Sequence, residues 1–208
     1  MHSPYGEYFV TDIDVSGDNL EVTYFQGGWG KISAAASTQY VIDLWAPNLL
    51  VNLGTCGGFK GDIEKGSIIL VEKTIVYDII EQMGDADDHL LHYTTNLNLS
   101  WLREPYPIPV LRGLLVSGDR DILPGDIQNL KEQFGAVAAD WESGAIAYVA
   151  ERNNTPCLIL RGVSDTVNVH GGEAYGNIGI YESSAQEIIE RLVRELPLWI
   201  NSIEILIE

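Results

Sequence analysis

Residues 137–167 read VAADWESGAIAYVAERNNTPCLILRGVSDTV. The stretch opens on a short apolar run closed by an acid. Small and apolar residues at helical spacing follow from Ser143, and then comes the continuous apolar run CLILRGV. We read strand 136–140, helix 143–153 and strand 157–163. The first strand ends in Asp140-Trp141-Glu142 and the second in Ser164-Asp165. Acids on the C-terminal ends of neighbouring strands line the crevice where α/β sheets take ligands, and such acids hold and protonate small molecules.

The same alternation continues on both sides. Residues 20–25 (LEVTYF) predict a strand, 27–30 a turn, and 33–45 a helix stopped by Pro47. Residues 49–53 form a short apolar strand running into Gly54-Thr55-Cys56-Gly57-Gly58. This run reads either as a turn exploiting positive φ or as a ligand loop offering backbone N–H groups and the Thr55 hydroxyl. Its spacing matches neither the P-loop nor the dinucleotide fingerprint. Residues 67–77 and 111–117 read as strands, a helix starts at Pro124 and runs to Gln133, and 184–205 is an amphipathic helix interrupted by Pro197. Residues 81–109 are irregular, with Asp85, Asp87, Asp88 and His89, and are long enough for a lid or an interface. The pattern as a whole predicts an α/β fold with a largely parallel or mixed sheet and helices on both faces.

Composition narrows the function classes. At 208 residues and 46% hydrophobic, the chain has enough apolar surface for one domain spanning 1–208. Twelve Lys+Arg against 30 Asp+Glu give a net charge of −18, which repels nucleic acid and anionic membranes. No apolar run approaches ~20 residues. Cys56 and Cys157 stand far apart without metal-ligand spacing, as in a reducing compartment such as the cytoplasm. His89 and His92 lie in what reads as a solvated acidic loop rather than a metal site. Arg161 sits inside an apolar strand and needs an acidic partner there.

Four segments carry a resemblance: GGWGKISAAASTQYVIDLWAPNLLVNLGTCGGFKGDIEKGSIIL (27–70), VSGDRDIL (116–123), ADWESGAIAYVA (139–150) and LRGVSDTV (160–167). In order and spacing they are similar to the nucleoside phosphorylase and nucleosidase superfamily, especially the methylthioadenosine/S-adenosylhomocysteine nucleosidases. The resemblance implies a three-layer α/β/α fold around a mixed, partly closed sheet, and a homodimer or larger homo-oligomer. It implies cleavage of the N-glycosidic bond of a purine nucleoside, with no metal or organic cofactor. Asp165 then takes the position of the acid that protonates the base, oriented by Ser164, and Glu142 that of the acid bonded to the ribose hydroxyls. Thr55 and Gly57 fall near the ribose, Trp141 stands where a methionine usually packs beside the sugar, and Ile122 follows the backbone that meets the base.

Asn52 occupies a position where many phosphorylases of this superfamily hold phosphate with an arginine, which makes water the expected nucleophile. Three departures accompany the match. The family's first strand, with its water-activating glutamate, has no counterpart before Leu20, so either the strand is missing or Glu7, Asp12 or Asp14 replaces the acid. Asp121 stands where an aromatic stacking on adenine is common. The chain after Asp165 continues TVNVHGGE rather than with the usual acidic tail.

Overall fold

The computed structural model describes residues 1–84 and 86–203, with the side chains of residues 86 and 87 outside the description. Strands β1 (His2–Ser3), β2 (Gly6–Val15) and β3 (Asp18–Phe25) form a small antiparallel sheet of their own. Helix α1 (Gly30–Trp45) follows, ended by Ala46 in the left-handed region just before Pro47. Next come β4 (Leu50–Phe59), β5 (Ile68–Val76), the short α2 (Ala86–His92), β6 (Thr94–Asn96) and β7 (Leu111–Ser117). The remainder is α3 (Ile127–Phe134), β8 (Ala138–Asp140), α4 (Ser143–Arg152), β9 (Cys157–Asn168), β10 (Gly171–Gly172) and α5 (Ile178–Asn201).

The second sheet runs β10-β9-β4-β8-β7-β5-β6, and β5 also pairs antiparallel with β9. That extra pairing closes β9, β4, β8, β7 and β5 into a five-stranded barrel, so the sheet is mixed and partly closed as the resemblance implies. Helices α1 and α4 pack together on one side, and α5 crosses β9 and β4 on the other. The period-2 alternation of strands explains the two cores. Ile68, Leu70, Leu158 and Leu160 face α5 with Leu192 and Trp199, whereas Ile69, Val71, Cys157 and Ile159 face α4 with Ala147 and Ala150. Full burial of each large aliphatic side chain contributes ~1.5–3 kcal/mol. Cys56 and Cys157 are free thiols inside the α4-side core.

Several local expectations change. Residues 54–58 are not a loop but the second half of β4, and none of Gly54, Gly57 or Gly58 has positive φ. Their role is close packing, described below. Strands β8 and β9 are not neighbours, because β4 lies between them. The stretch 81–109 contains α2 and β6 rather than irregular chain throughout, so His89 and His92 sit on a helix; Asp85 lies outside the described residues, as does the Asp87 side chain. Helix α5 runs unbroken through Pro197, since burial of Leu196, Trp199 and Ile200 outweighs the one backbone bond that proline removes. Strand β9 continues past Ser164 to Asn168 because β10 folds back onto it, pairing Gly171 with Asn168.

The strand expected over 20–25 is β3, whereas β1 and β2 were not legible, and the three acids weighed as substitutes all lie on β2. Glu7 faces His2, 3.3 Å away. Asp14 Oδ1 accepts the Gly17 N–H at 2.9 Å in the β2–β3 turn. Asp12 pairs opposite Glu21 on the exposed sheet. None of the three joins the barrel strands.

Candidate active site

The site is organised by Gly57, whose backbone lies opposite Asp165 on β9 and opposite Ala139 on β8. The two acidic segments therefore flank one strand, separated by about two strand spacings, or roughly 9–10 Å. The β4–β9 register shifts between Cys56 and Gly57, leaving Ser164 unmatched. Such a bulge re-aims the side chains that follow it. Ser164 Oγ lies 2.8 Å from Asp165 Oδ1 and 3.3 Å from the Cys56 carbonyl. One hydroxyl proton cannot serve both acceptors. Ser164 donates to Asp165 when the acid is ionised, and is free to donate to Cys56 when the acid is protonated.

Asp165 is buried, and burial raises its pKa above the ordinary carboxylate value. The charges of Glu173 and Asp121 push the same way, while the Ser164 hydrogen bond opposes them. Glu173 is brought there by the β9–β10 turn, its Oε1 accepting from Thr166 Oγ1 at 2.8 Å. The TVNVHGGE departure thus supplies an acid close to Asp165 by a different route.

Glu142 sits at the start of α4. Its Oε1 accepts the Gly30 N–H at 2.9 Å, and burial raises its pKa despite that bond. Gly30 has φ +77, and an added Cβ would meet Asp119 Oδ1 at 2.9 Å, so glycine is required where this turn approaches the acid. Asp119 accepts the Lys31 N–H at 2.7 Å and donates its own N–H to Asp78 Oδ2 at 2.8 Å, and the Lys31 ammonium contacts Asp78. The 27–30 turn is thereby tied to the loop after β7, with Glu142 between.

Behind Glu142 lies a buried polar network. Arg161 Nε is 2.9 Å from Asp140 Oδ2 and 2.7 Å from Ser143 Oγ. Asp140 also accepts from Ser117 Oγ at 2.6 Å and from the Ser143 N–H at 3.0 Å. Arg161 has the acidic partner its place in an apolar strand demanded. Sequence reasoning stopped there, but the guanidinium also reaches toward the site: Nη2 lies 4.0 Å from Glu142 Oε2 and has no hydrogen-bond partner among the described residues. An arginine one residue past an apolar run, three before Ser164-Asp165, was the available signal.

The remaining candidates divide. Ile122 is buried, its carbonyl accepting from Tyr175 Oη at 2.7 Å, and its Cδ1 would lie 2.8 Å from a Cβ at Gly57. Trp141 is 38% exposed beside Glu142. Thr55 Oγ1 is 3.4 Å from Tyr181 Oη, which brings α5 into the surroundings, a contribution the sequence did not signal. The arrangement offers a buried, protonatable acid at one end, a half-buried acid with a backbone donor at the other, and a glycine strand between them that presents little bulk. Among the described residues there is no cluster of His, Cys, Asp or Glu suited to a metal ion.

Comparison with known proteins places this geometry. The sequence model of the phosphorylase superfamily matches residues 6–195. A 5'-methylthioadenosine/S-adenosylhomocysteine nucleosidase from Buchnera aphidicola is 31% identical over 156 residues, covering 70% of this chain and 67% of that protein. One from Hydrogenovibrio crunogenus is 28% identical over 212 residues, covering 94% and 87%. Among solved structures, the S. pneumoniae nucleosidase bound to the transition-state inhibitor MT-ImmA superposes with a TM-score of 0.69 at 20% identity, covering 93% of this chain and 90% of that one. The futalosine hydrolase of Helicobacter pylori gives 0.72 at 15% identity, covering 93% and 88%. At these identities the structural likeness speaks for the fold, and the sequence matches speak for descent. The chain belongs to the phosphorylase superfamily.

Proposed function

We propose that this protein hydrolyses the N-glycosidic bond of a purine nucleoside of the methylthioadenosine or adenosylhomocysteine kind, with residues 1–208 acting as one catalytic domain. The observation that carries the reading is the buried Asp165, with its raised pKa and its Ser164 partner, held across Gly57 from the segment bearing Glu142. It is supported by relatives named as nucleosidases.

The chemistry follows from those two acids. The bond from sugar to base breaks with its electrons going to the base, and the sugar takes on oxocarbenium character. Asp165, whose pKa burial raises, acts in its protonated form and donates its proton to the purine nitrogen that gains electron density, so the base does not leave as an anion. Glu142, ionised and aimed by the Gly30 N–H, binds the ribose hydroxyls and offsets the positive charge developing on the sugar. Water adds to the anomeric carbon and releases one proton to solvent, and Asp165 takes one up from solvent to restore the starting state. Trp141 covers the sugar, Thr55 and Gly57 border it, and the backbone at Ile122 meets the base. Asn52 brings no charge for phosphate, in keeping with water as nucleophile.

Exposed apolar residues rim the site. Trp29 and Ile32 are 87% and 84% exposed on either side of Gly30 and Lys31, and a second copy of the chain covers them in a homo-oligomer. Two buried free thiols suit a reducing, cytoplasmic setting, and no described helix is long and apolar enough to cross a membrane.

The test is release of free base from methylthioadenosine, adenosylhomocysteine, inosine and guanosine, each with and without phosphate. Phosphate-independent release of adenine is the expected result. Strict phosphate dependence would assign a phosphorylase, and saturable binding without release would assign a binding protein.

A further inference from the structure

Two strand edges face a common groove of about 880 Å3 between the N-terminal sheet and the barrel. Strand β3 pairs only with β2, and residues 20–25 line one wall of the groove. Residues 50–53 of β4 line the other. The Leu50 N–H bonds the Pro156 carbonyl on the β9 side, and alternate residues of a parallel strand point their backbone groups the same way. Residues 51, 53 and 55 therefore direct N–H and C=O away from β9. On that side β8 meets β4 only at Gly57 and Gly58.

The side chains around these edges are mostly apolar. Val41 and Ile146 lie on the α1–α4 side, and Ile189, Val193 and Leu196 on the α5 side. The charged groups lining the groove are Glu7, Glu21 and the Met1 ammonium, with His2 beside Glu7 and no lysine or arginine among its lining residues. Asn52 also lines it, and its Oδ1 has no hydrogen-bond partner among the described residues. Two backbone edges over apolar walls are the complement of one extended chain, which gains its affinity from main-chain bonds and its specificity from alternate side chains.

We propose that this groove binds an extended strand from another polypeptide, with alternating β-branched residues and basic flanks, joining the three-stranded sheet to the barrel. The acidic lining and the chain's charge of −18 select the basic flanks. A second copy of this chain is disfavoured because each described strand is already paired in a sheet, so a donor copy would have to surrender one. Docking needs neither turnover nor a nucleoside, although the groove shares Asn52 with the proposed site.

The probe is a capped synthetic peptide, Lys-Val-Thr-Val-Ile-Val-Lys, titrated into the full chain by calorimetry and followed by thermal unfolding. Two controls carry the same side chains but are N-methylated at alternate residues, one set on each edge of the strand. Saturable one-to-one binding is expected, with a rise in Tm of about 5 °C at saturation. Each methylated peptide should bind at least about tenfold more weakly, because each blocks pairing with one wall. Equal binding by the methylated peptides would reduce the groove to an apolar surface, and absence of saturable binding would overturn the proposal outright. A dimer of the protein that the peptide dissociates would assign the groove to a second copy and overturn it equally.

Discussion

Gly54 and Arg161 share one volume: a Cβ built at Gly54 would lie 1.5 Å from Arg161 Nη1 and 2.7 Å from its Cζ. The two residues are also register partners across β4 and β9. The missing side chain on one strand is what admits the guanidinium of the next, and through Arg161 it positions Asp140, Ser143 and the surroundings of Glu142. Gly54→Ala therefore forces the arginine off its acids. Breaking a buried ion pair costs about 3–5 kcal/mol, and chemical denaturation of the variant should show a loss of that size. A loss under about 1 kcal/mol would mean that Arg161 finds an equivalent seat.

Asp165→Asn removes a proton donor while keeping shape. Turnover should fall by roughly 10²–10⁴, with nucleoside affinity retained within about tenfold. Single-turnover assays beside equilibrium binding separate the two quantities. Undiminished base release in this variant would take the acid role away from Asp165.

Glu142→Gln keeps the oxygen that accepts from Gly30 but loses the charge. We expect kcat/KM to fall by about one to two orders of magnitude, on the scale of a lost charged hydrogen bond. The defect should shrink for a substrate analogue lacking ribose hydroxyls. Equal losses on both substrates would say that Glu142 acts on something other than the sugar.

The pH dependence follows from both acids having raised pKa values. Asp165 must be protonated to act, so activity falls as pH rises through its elevated pKa. Glu142 must be ionised, so activity falls as pH drops through its own. The rate profile should be bell-shaped, its alkaline limb disappearing in Asp165→Asn measured on substrates with good leaving groups.

Stability should move the opposite way from function. A carboxyl whose folded pKa lies above its unfolded value contributes fully below the unfolded value, ~4, and that contribution is lost as pH rises through the folded pKa. Asp165→Asn, neutral at every pH, retains it. The variant should melt above the parent at pH 7, and the difference should vanish near pH ~3.5. A lower Tm for the variant at neutral pH would count against the burial assigned to Asp165.

The barrel strands with both faces buried were legible because apolar runs such as CLILRGV have no other place to go. The small-residue helix at Ser143 was equally clear from its spacing. The glycines at 54–58 misled because glycine was weighed for backbone freedom, whereas here it makes room for Arg161, Ile122 and the Ile63–Val163 pair. That role depends on which side chains arrive from distant strands, and local sequence does not carry it. The same holds for the spatial order β9-β4-β8. Chain order placed Asp140 and Ser164 on successive strands, but a strand from about ninety residues earlier separates them. Residues 1–19 showed no clean alternation because β2 is exposed on most positions. Of the candidate site, the two acids were singled out from expected strand-end positions, although Asp165 lies inside β9, while the ties through Gly30, Lys31, Asp78 and Asp119 connect turns that share no periodicity.

Cys56 and Cys157 lie inside the α4-side core, and burial raises both thiols, Cys157 to about 12. The thiolate is the reactive form, so neither sulfur is attacked by an alkylating reagent while the barrel stays shut. Cys56 belongs to β4 and Cys157 to β9, the strand pair with the longest ladder in the sheet. Modification of either one records the parting of those strands, and the rate at which iodoacetamide consumes the two together is a clock for opening of the whole barrel, built in without any added label.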